Sequence, residues 1–181
     1  MLDNPPTHTP TDDLLREFAT ALRPQLPLYQ QPASTEYVSL FWRAYLGAAA
    51  FALYDVLVCT QRLIQAGQVK RWPTINTLAA ACALSSRHAI LGRAGTARDA
   101  AQPGVLAVLV DEMLVAYMVH GEGKGTRYQF EVRDHLPMLT PLQAKKLPAN
   151  LQKLHRKNFV DQLPQATAQA YLKLVSRSFV K

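Results

Sequence analysis

The sequence predicts a mainly α-helical fold with one small β-hairpin, in the α+β class. Apolar residues recur at helical spacing over residues 46–64 and cover most of the circumference, a distribution typical of a buried central helix. Residues 126–132 alternate between polar and apolar side chains after a glycine-rich stretch at 120–125, which indicates a half-buried strand that follows a hairpin tip. Prolines and Ser or Thr caps divide most of the remaining chain into short helices.

These patterns divide the chain into four parts. Residues 1–10, polar and rich in proline, are expected to form a disordered tail. Residues 11–45 form an N-terminal helical extension, with a helix over about 12–22, a loop over 28–36 and an ambiguous segment over 37–43. Residues 46–132 form the central domain. Residues 133–181 form a C-terminal helical extension, in which helices are expected over about 141–147, 148–162 and 165–179.

Two short helices joined by a tight turn lie at the middle of the central domain. Thr74 is expected to cap a helix over about 75–82, and Ser85 a second helix over about 86–93. A short extended stretch at 69–72 precedes this pair. The elements that follow it are a basic loop of small residues at 94–103, a helix from Pro103 to about 113, and strands over 114–119 and 126–132.

Positive charge is concentrated in two blocks of the chain. The net charge is +7; residues 61–100 contain six Lys or Arg against one Asp, and residues 120–181 contain eleven against four Asp or Glu. Such asymmetry favours an anionic partner, with nucleic acid ahead of a membrane. Net charge alone is equally compatible with a role in solubility. Apolar residues make up 49% of the chain, too many for a disordered protein.

The segment 78–85 (Leu-Ala-x-x-x-Ala-Leu-Ser) has the spacing of a helix-turn-helix. The small side chain of Ala79 lets the two helices approach each other. Ala83 stands in the turn, where glycine is commoner, and Leu84 is expected to fill the core beneath it. With the hairpin that follows, this part of the chain resembles the winged helix-turn-helix superfamily of bacterial DNA-binding proteins.

The resemblance covers about residues 46–132 and makes the central domain a winged helix-turn-helix core between helical extensions. The segment 46–54, leading into 72–83, is also similar, more weakly, to the winged helices of replication initiators and DnaD-like proteins. The stretch at 94–103 is longer than the pattern allows, so the geometry of docking on DNA departs from the usual one there.

The resemblance implies a protein that binds double-stranded DNA, as a transcriptional regulator or a replication-initiation factor. It assigns the helix over 86–93 to the major groove, where arginine can bind guanine through two hydrogen bonds. It assigns the hairpin tip over 120–127 to the minor groove or the phosphate backbone. Lys70 and Arg71 are close enough in sequence to reach phosphates as well. The DNA-binding residues that it implies are Thr74, Asn76, Ser85, Ser86, Arg87, His88, Arg93, Arg98, Lys124 and Arg127.

Two alternatives remain open. A winged helix can bind another protein instead of DNA, and the acidic first third of the chain and the apolar terminal helices favour such an interaction scaffold. The apolar stripe of the last helix can pack on the central domain or pair with a second copy, and we slightly favour a homodimer. A basic set in the C-terminal helices can add phosphate contacts or form a solvated face: Lys145, Lys146, Lys153, Arg156 and Lys157.

No pattern of residues indicates an enzyme, a cofactor or a metal site. The histidines lack metal-ligand spacing with Cys, Asp or Glu, no serine lies in a nucleophile motif, and residues 121–126 lack the spacing of a phosphate-binding loop. Cys59 and Cys82 lie inside apolar runs and are expected to be buried and reduced. Because no signal peptide and no membrane span are recognisable, we expect a cytoplasmic protein that does not contact a membrane.

Overall fold

The computed structural model describes residues 28–93, 101–121 and 126–177 of the 181-residue chain, the last three by their backbone alone. The tail expected over 1–10 and the helix expected over 12–22 lie outside the described residues. The described chain is mainly helical and has two small antiparallel sheets of two strands each. The predicted class, mainly α with a small β-hairpin, is therefore confirmed.

The first helix, α1, begins where the sequence predicted a loop. After a 3-10 turn at Leu28–Gln30, the Ser34 side chain caps the helix by accepting a hydrogen bond from the Tyr37 N–H at 3.2 Å. The helix then consists of α-helical Thr35–Tyr37, π-helical Val38–Trp42 and α-helical Arg43–Leu46.

The ambiguous segment 37–43 thus forms the middle of α1, and the loop predicted over 28–36 was wrong at both of its ends. The apolar pattern of α1 did not predict a helix because the π-helical turn shifts the residues that follow away from regular helical spacing. Its buried side chains, Tyr37, Phe41 and Trp42, belong to the main core.

The central helix, α2, runs from Ala48 to Gln65. The predicted start at Leu46 was wrong by two residues, because Gly47 adopts φ +82° and separates α1 from α2. Buried side chains occur all along α2, and Leu53 and Leu57 are fully inaccessible. The helix contacts α1 and the later helices and strand of the central domain, so it is the central core helix that the sequence predicted.

The predicted pair of short helices is present as α3, Ile75–Ala81, and α4, Arg87–Leu91, which contact each other. The Thr74 side chain accepts a hydrogen bond from the Thr77 N–H at 3.2 Å, so the predicted cap of α3 is confirmed. The turn contains Ala83 at φ +53°, a left-handed conformation in which glycine is favoured. Leu84 is partly buried against the core beneath this turn, as expected.

The second helix of the pair is shorter than predicted. Its N-cap residue is Ser86 rather than Ser85, and the Ser86 side chain makes no capping hydrogen bond. The helix ends at Leu91 because Gly92 adopts φ +83°. Arg93 therefore lies outside α4, in the two-residue strand β1, Gly92–Arg93.

A close approach of two glycines explains this early end. Strand β1 pairs antiparallel with β2, Gln102–Pro103, so that Gly92 lies opposite Pro103. A Cβ atom at Gly104 would lie 2.1 Å from the Ile90 carbonyl oxygen and 2.3 Å from the Gly92 nitrogen. The ends of the predicted loop at 94–103 are thus held together by backbone contact, while its residues 94–100 lie outside the described ranges.

Helix α5, Val105–Asp111, leads into the hairpin of β3, Val115–His120, and β4, Arg127–Val132. Pro103 lies in β2, so the prediction that it opens this helix was wrong, and Gly104 is the N-cap residue. The hairpin register places Val115 opposite Val132 and His120 opposite Arg127. Along β4, Phe130 and Val132 are buried while the alternate residues are exposed, which confirms the predicted alternation.

The core lies between α2, the helices α3 to α5 and one face of the hairpin. Helix α2 contacts α3, α5 and β4, and α4 contacts α5. The stretch expected to be extended at 69–72 pairs with no strand in the described structure. It is positioned instead by Trp72, whose ring lies 5.2 Å from that of Phe130 in an edge-to-face arrangement.

The C-terminal extension consists of three helices. Helix α6, Pro141–Ala144, begins with the predicted cap, since Thr140 and Gln143 form a reciprocal capping box. Helix α7 is α-helical over Ala149–His155 and π-helical over Arg156–Val160. Helix α8 runs over Gln165–Arg177. Helix α6 is shorter than the segment 141–147 that the proline positions predicted. Helix α7 lies within the predicted segment 148–162 and is divided into an α-helical and a π-helical part.

A tyrosine–histidine cluster joins both extensions at the segment before α6. The Tyr37 hydroxyl accepts a hydrogen bond from the Leu139 N–H at 2.9 Å and lies 2.6 Å from Nε2 of His155. The Tyr171 hydroxyl donates to the Leu139 carbonyl at 2.7 Å. Tyr37, Tyr171 and His155 are each 2% exposed. The cluster therefore connects α1 and α8 to the backbone of Leu139 directly, and α7 through the Tyr37 hydroxyl.

Candidate nucleic-acid interface

Three of the predicted DNA-binding residues line one cleft between the helix pair and the hairpin. Thr74 and Asn76, at the start of α3, and Arg87, at the start of α4, line a cleft of about 690 Å³. Thr126 and Tyr128, at the start of β4, form its opposite wall. The packing of α3, α4 and β4 around α2 brings these parts together, although they are up to 54 positions apart in the sequence.

A second cleft of about 640 Å³ shares Thr74, Thr126 and Tyr128 with the first. It is lined by Lys70 and Arg71, which precede α3, and by Arg127, the first residue of β4. Trp72 and His120 complete its wall. Because the two clefts share three residues, they form one continuous surface next to the tip of the hairpin.

This surface is positively charged. Lys70, Arg71, Arg87 and Arg127 are exposed, and among the described residues no Asp or Glu lines either cleft. None of the four forms a salt bridge within the described part of the chain. We call these four residues the basic surface. Cations that are not neutralised by a neighbouring carboxylate attract an anionic ligand more strongly than paired ones do.

The aromatic residues beside the basic surface were not predicted as part of the site. Tyr128 and Trp72 line the clefts, and each is half-buried. The alternation of β4 placed Tyr128 on the buried face, where the Phe130 ring lies 6.3 Å away in a stacked arrangement. The sequence could have indicated that Tyr128 lies at the edge of this buried face, because Tyr128 is close to the hairpin tip.

Among the remaining predicted residues, those that the structure describes are not brought to these clefts. Ser85, Ser86 and His88 do not line either cleft. Arg93 is exposed but lies in β1, beyond the end of α4. Arg98 and Lys124 lie outside the described residues. The predicted residues that the structure brings together therefore lie at the starts of α3 and α4 and next to the hairpin tip, rather than along the whole length of α4.

Comparison of the chain with family models, with curated proteins and with solved structures found no match in any of the three. Among the helices of the described ranges, none has both the length and the apolar character that a membrane span requires. In the same ranges, no group of three or more His, Cys, Asp or Glu side chains is placed to hold a metal ion.

Proposed function

We propose that this protein binds double-stranded DNA through the basic surface, as a winged helix-turn-helix protein of the cytoplasm. The observation that supports the proposal most is the convergence of Lys70, Arg71, Arg87 and Arg127 around two adjoining clefts, whose lining within the described ranges includes no carboxylate. Such a surface suits a polyanion whose phosphates are spaced regularly along a groove. The proposed biological role, either transcriptional regulation or replication initiation, rests on the sequence resemblance.

The four cations have two roles in the proposed complex. Arg87, at the first position of α4, reaches the major groove, where it can donate two hydrogen bonds to guanine. Lys70, Arg71 and Arg127 line the adjoining cleft next to the hairpin tip and contact phosphates in this proposal. Helix α4 has only five residues and a length of roughly 7–8 Å. Discrimination between bases therefore depends on Arg87 more than on a long recognition helix.

Salt-dependent binding to a fluorescent duplex tests this proposal. If Lys70, Arg71 and Arg127 each meet one phosphate, the logarithm of the association constant falls against that of the salt concentration with a slope of roughly −3. The triple variant Lys70→Gln, Arg71→Gln, Arg127→Gln should weaken binding to every duplex and bring the slope close to zero. Absence of binding at low salt would refute the proposal.

A matched control removes the same charge from the C-terminal helices. The variant Lys145→Gln, Lys153→Gln, Lys157→Gln also loses three positive charges, all of them from exposed side chains. It should bind DNA nearly as the wild type does, because these residues lie outside both clefts. An equal loss of affinity in both triple variants would show that net charge, and not the basic surface, determines binding.

Arg87→Ala separates base recognition from phosphate contact. After selection from random duplexes, this variant should lose about 1–3 kcal/mol of preference for the selected sequence over a random one. Arg93→Ala, which removes a cation outside the clefts, should leave that preference intact. If Arg93→Ala lost more sequence preference than Arg87→Ala, base recognition would lie outside the basic surface.

A protein-binding scaffold is the second candidate function, and the composition of α5 favours it. This helix leads directly into the hairpin, yet it contains no Lys or Arg and exposes Val108 and Val110. A stoichiometric protein partner that resists both high salt and nuclease would support this candidate. Loss of the partner upon nuclease treatment would instead support binding through DNA.

A further inference from the structure

The two outer edges of the hairpin differ. Within the described residues, β3 and β4 pair only with each other. The outer edge of β4 is closed by Gln61 of α2, whose side-chain amide donates to the Val132 carbonyl and accepts from the Val132 N–H, both at 2.8 Å. In the same ranges, no side chain or strand makes an equivalent pair of hydrogen bonds to β3.

The register shows which backbone groups of β3 point outward. Because Val132 presents its N–H and carbonyl to Gln61, its partner Val115 presents the same groups to the opposite edge. In an antiparallel pair this direction alternates along the strand. Val115, Tyr117 and Val119 therefore direct their main-chain donors and acceptors away from β4. Strand β3 contains no Lys, Pro or bulge that would block a further strand.

The side chains around this edge are apolar and accessible. At roughly 150 Å² for each side chain, the low end of the range for aromatic residues, the exposed fractions leave on the order of 400 Å² of apolar surface, a patch size that marks interaction sites. Val110, Met113 and Tyr117 line one continuous groove here, which Glu131 and Arg133 border. The exposed fractions are Val110 37%, Met113 82%, Tyr117 43%, Met118 57% and Val119 51%.

We propose that β3 pairs antiparallel with β3 of a second copy of this chain, with the two-fold axis at Tyr117. This register pairs Tyr117 with the partner's Tyr117, and Val115 with the partner's Val119. Each pair exchanges two main-chain hydrogen bonds, and a shift in either direction leaves one outward residue of β3 unpaired. The two hairpins form one four-stranded sheet.

A second copy suits this edge for two physical reasons. The edge is self-complementary, since the same row of donors and acceptors meets itself when one strand is turned by two-fold rotation. Covering the patch on both copies removes on the order of 800 Å² of apolar surface from water, to which the paired main chains add, so the contact has the size of a small interface. The strand β3 contains no Lys, Arg, Asp or Glu, so pairing places no such charges opposite each other.

Sedimentation velocity of the full chain without DNA tests the proposal independently of DNA binding. The wild type should sediment as a dimer of the 20.1 kDa chain. Val119→Lys should shift it to the monomer, because the added charges lie in the new strand pair. Gln129→Lys, which adds the same charge to the exposed face of β4, should remain a dimer. A monomeric wild type, or equal dissociation by both variants, would overturn the proposal.

A cysteine substitution at the axis tests the register. With Cys59→Ser and Cys82→Ser as background, Tyr117→Cys should form a covalent dimer under mild oxidation, since paired Cα atoms about 5.5 Å apart permit a disulfide. In Val119→Cys the two sulfur-bearing residues are offset by four positions, roughly 14 Å along the strand, and no disulfide should form.

The outcomes of this second experiment are distinct. Efficient cross-linking of Val119→Cys would overturn the register. A wild-type dimer in which Tyr117→Cys does not cross-link would assign the contact to another surface, such as the last helix. Circular dichroism and sedimentation of reduced Tyr117→Cys control for the loss of a ring that lies 6.1 Å from Tyr128.

Discussion

The tyrosine–histidine cluster and the β3–β4 hairpin are both rich in aromatic residues, but they satisfy their polar groups in opposite ways. In the cluster, the hydroxyls of Tyr37 and Tyr171 and the His155 Nε2 atom all have partners inside the protein. In the hairpin, Tyr117 and Phe130 lie against each other with ring centroids 6.2 Å apart, while the outer backbone edge of β3 is without a partner in the described structure.

The two regions differ because the cluster is buried and the outer edge of the hairpin is exposed. An unpaired polar group costs several times more inside a protein than at its surface, so buried groups must be paired within the chain. An exposed edge can exchange hydrogen bonds with water at little cost and remains available to a partner. The cluster therefore contributes to stability, whereas the hairpin and the basic surface beside it are the parts that can act on other molecules.

Acidification should break the cluster and give the largest effect. Burial lowers the pKa of His155 to about 4, from an ordinary value of 6.5. Between these values the unfolded chain binds more protons than the folded one. The stability contributed by the neutral ring is therefore complete above about pH 6.5 and is lost as the pH falls towards 4. The expected loss of unfolding free energy is roughly 3 kcal/mol, measured by urea denaturation at several pH values.

Two histidine variants identify the source of that pH dependence. His155→Leu should flatten the decline between these pH values, whatever its stability at neutral pH. His135→Gln, at an exposed histidine beside Asp134, should leave the decline unchanged. A decline that persists in His155→Leu would assign the pH dependence to other groups.

Removal of the Gln61 side chain should leave the β4 edge of the hairpin without its hydrogen-bond partner, as the β3 edge is in the described structure. Gln61→Ala leaves the Val132 N–H and carbonyl without their partner on the β4 edge, at a cost of about 1–2 kcal/mol. Gln65→Ala, at an exposed position of the same helix, should change stability by a few tenths of a kcal/mol. Equal unfolding free energies of the two variants, measured by chemical denaturation, would contradict the assigned role of Gln61.

The smallest effect concerns backbone strain. The described residues other than glycine with positive φ are Ala83, in the turn before α4, and Met113, before β3. Ala83→Gly should stabilise the protein by roughly 0.5 kcal/mol, since relief of strain exceeds the added freedom of the unfolded chain. Ala80→Gly, inside α3, should destabilise it by about 1 kcal/mol. Thermal unfolding distinguishes the opposite signs.

Several features of the fold and the site could be predicted because neighbouring residues determine them. Thr74 and Thr140 cap their helices through hydrogen bonds to residues three positions ahead. The alternation of β4 follows from the two-residue period of a strand, which any half-buried strand must show. The resemblance to winged helix-turn-helix proteins assigned Arg87 and Arg127 to a DNA interface, and that assignment stays a prediction.

Other features depended on contacts between distant parts of the chain, and only the tertiary structure decided them. Arg93 lies outside α4 because Gly92 meets Gly104, twelve positions further on. The basic surface exists because packing around α2 brings residues 70–71, Arg87 and Arg127 together. Sequence alone determined the central helix, the pair of short helices, the hairpin and the excess of positive charge. The end of α4, the π-helical turn in α1 and the closed and open edges of the hairpin depend on packing energies that no local pattern contains.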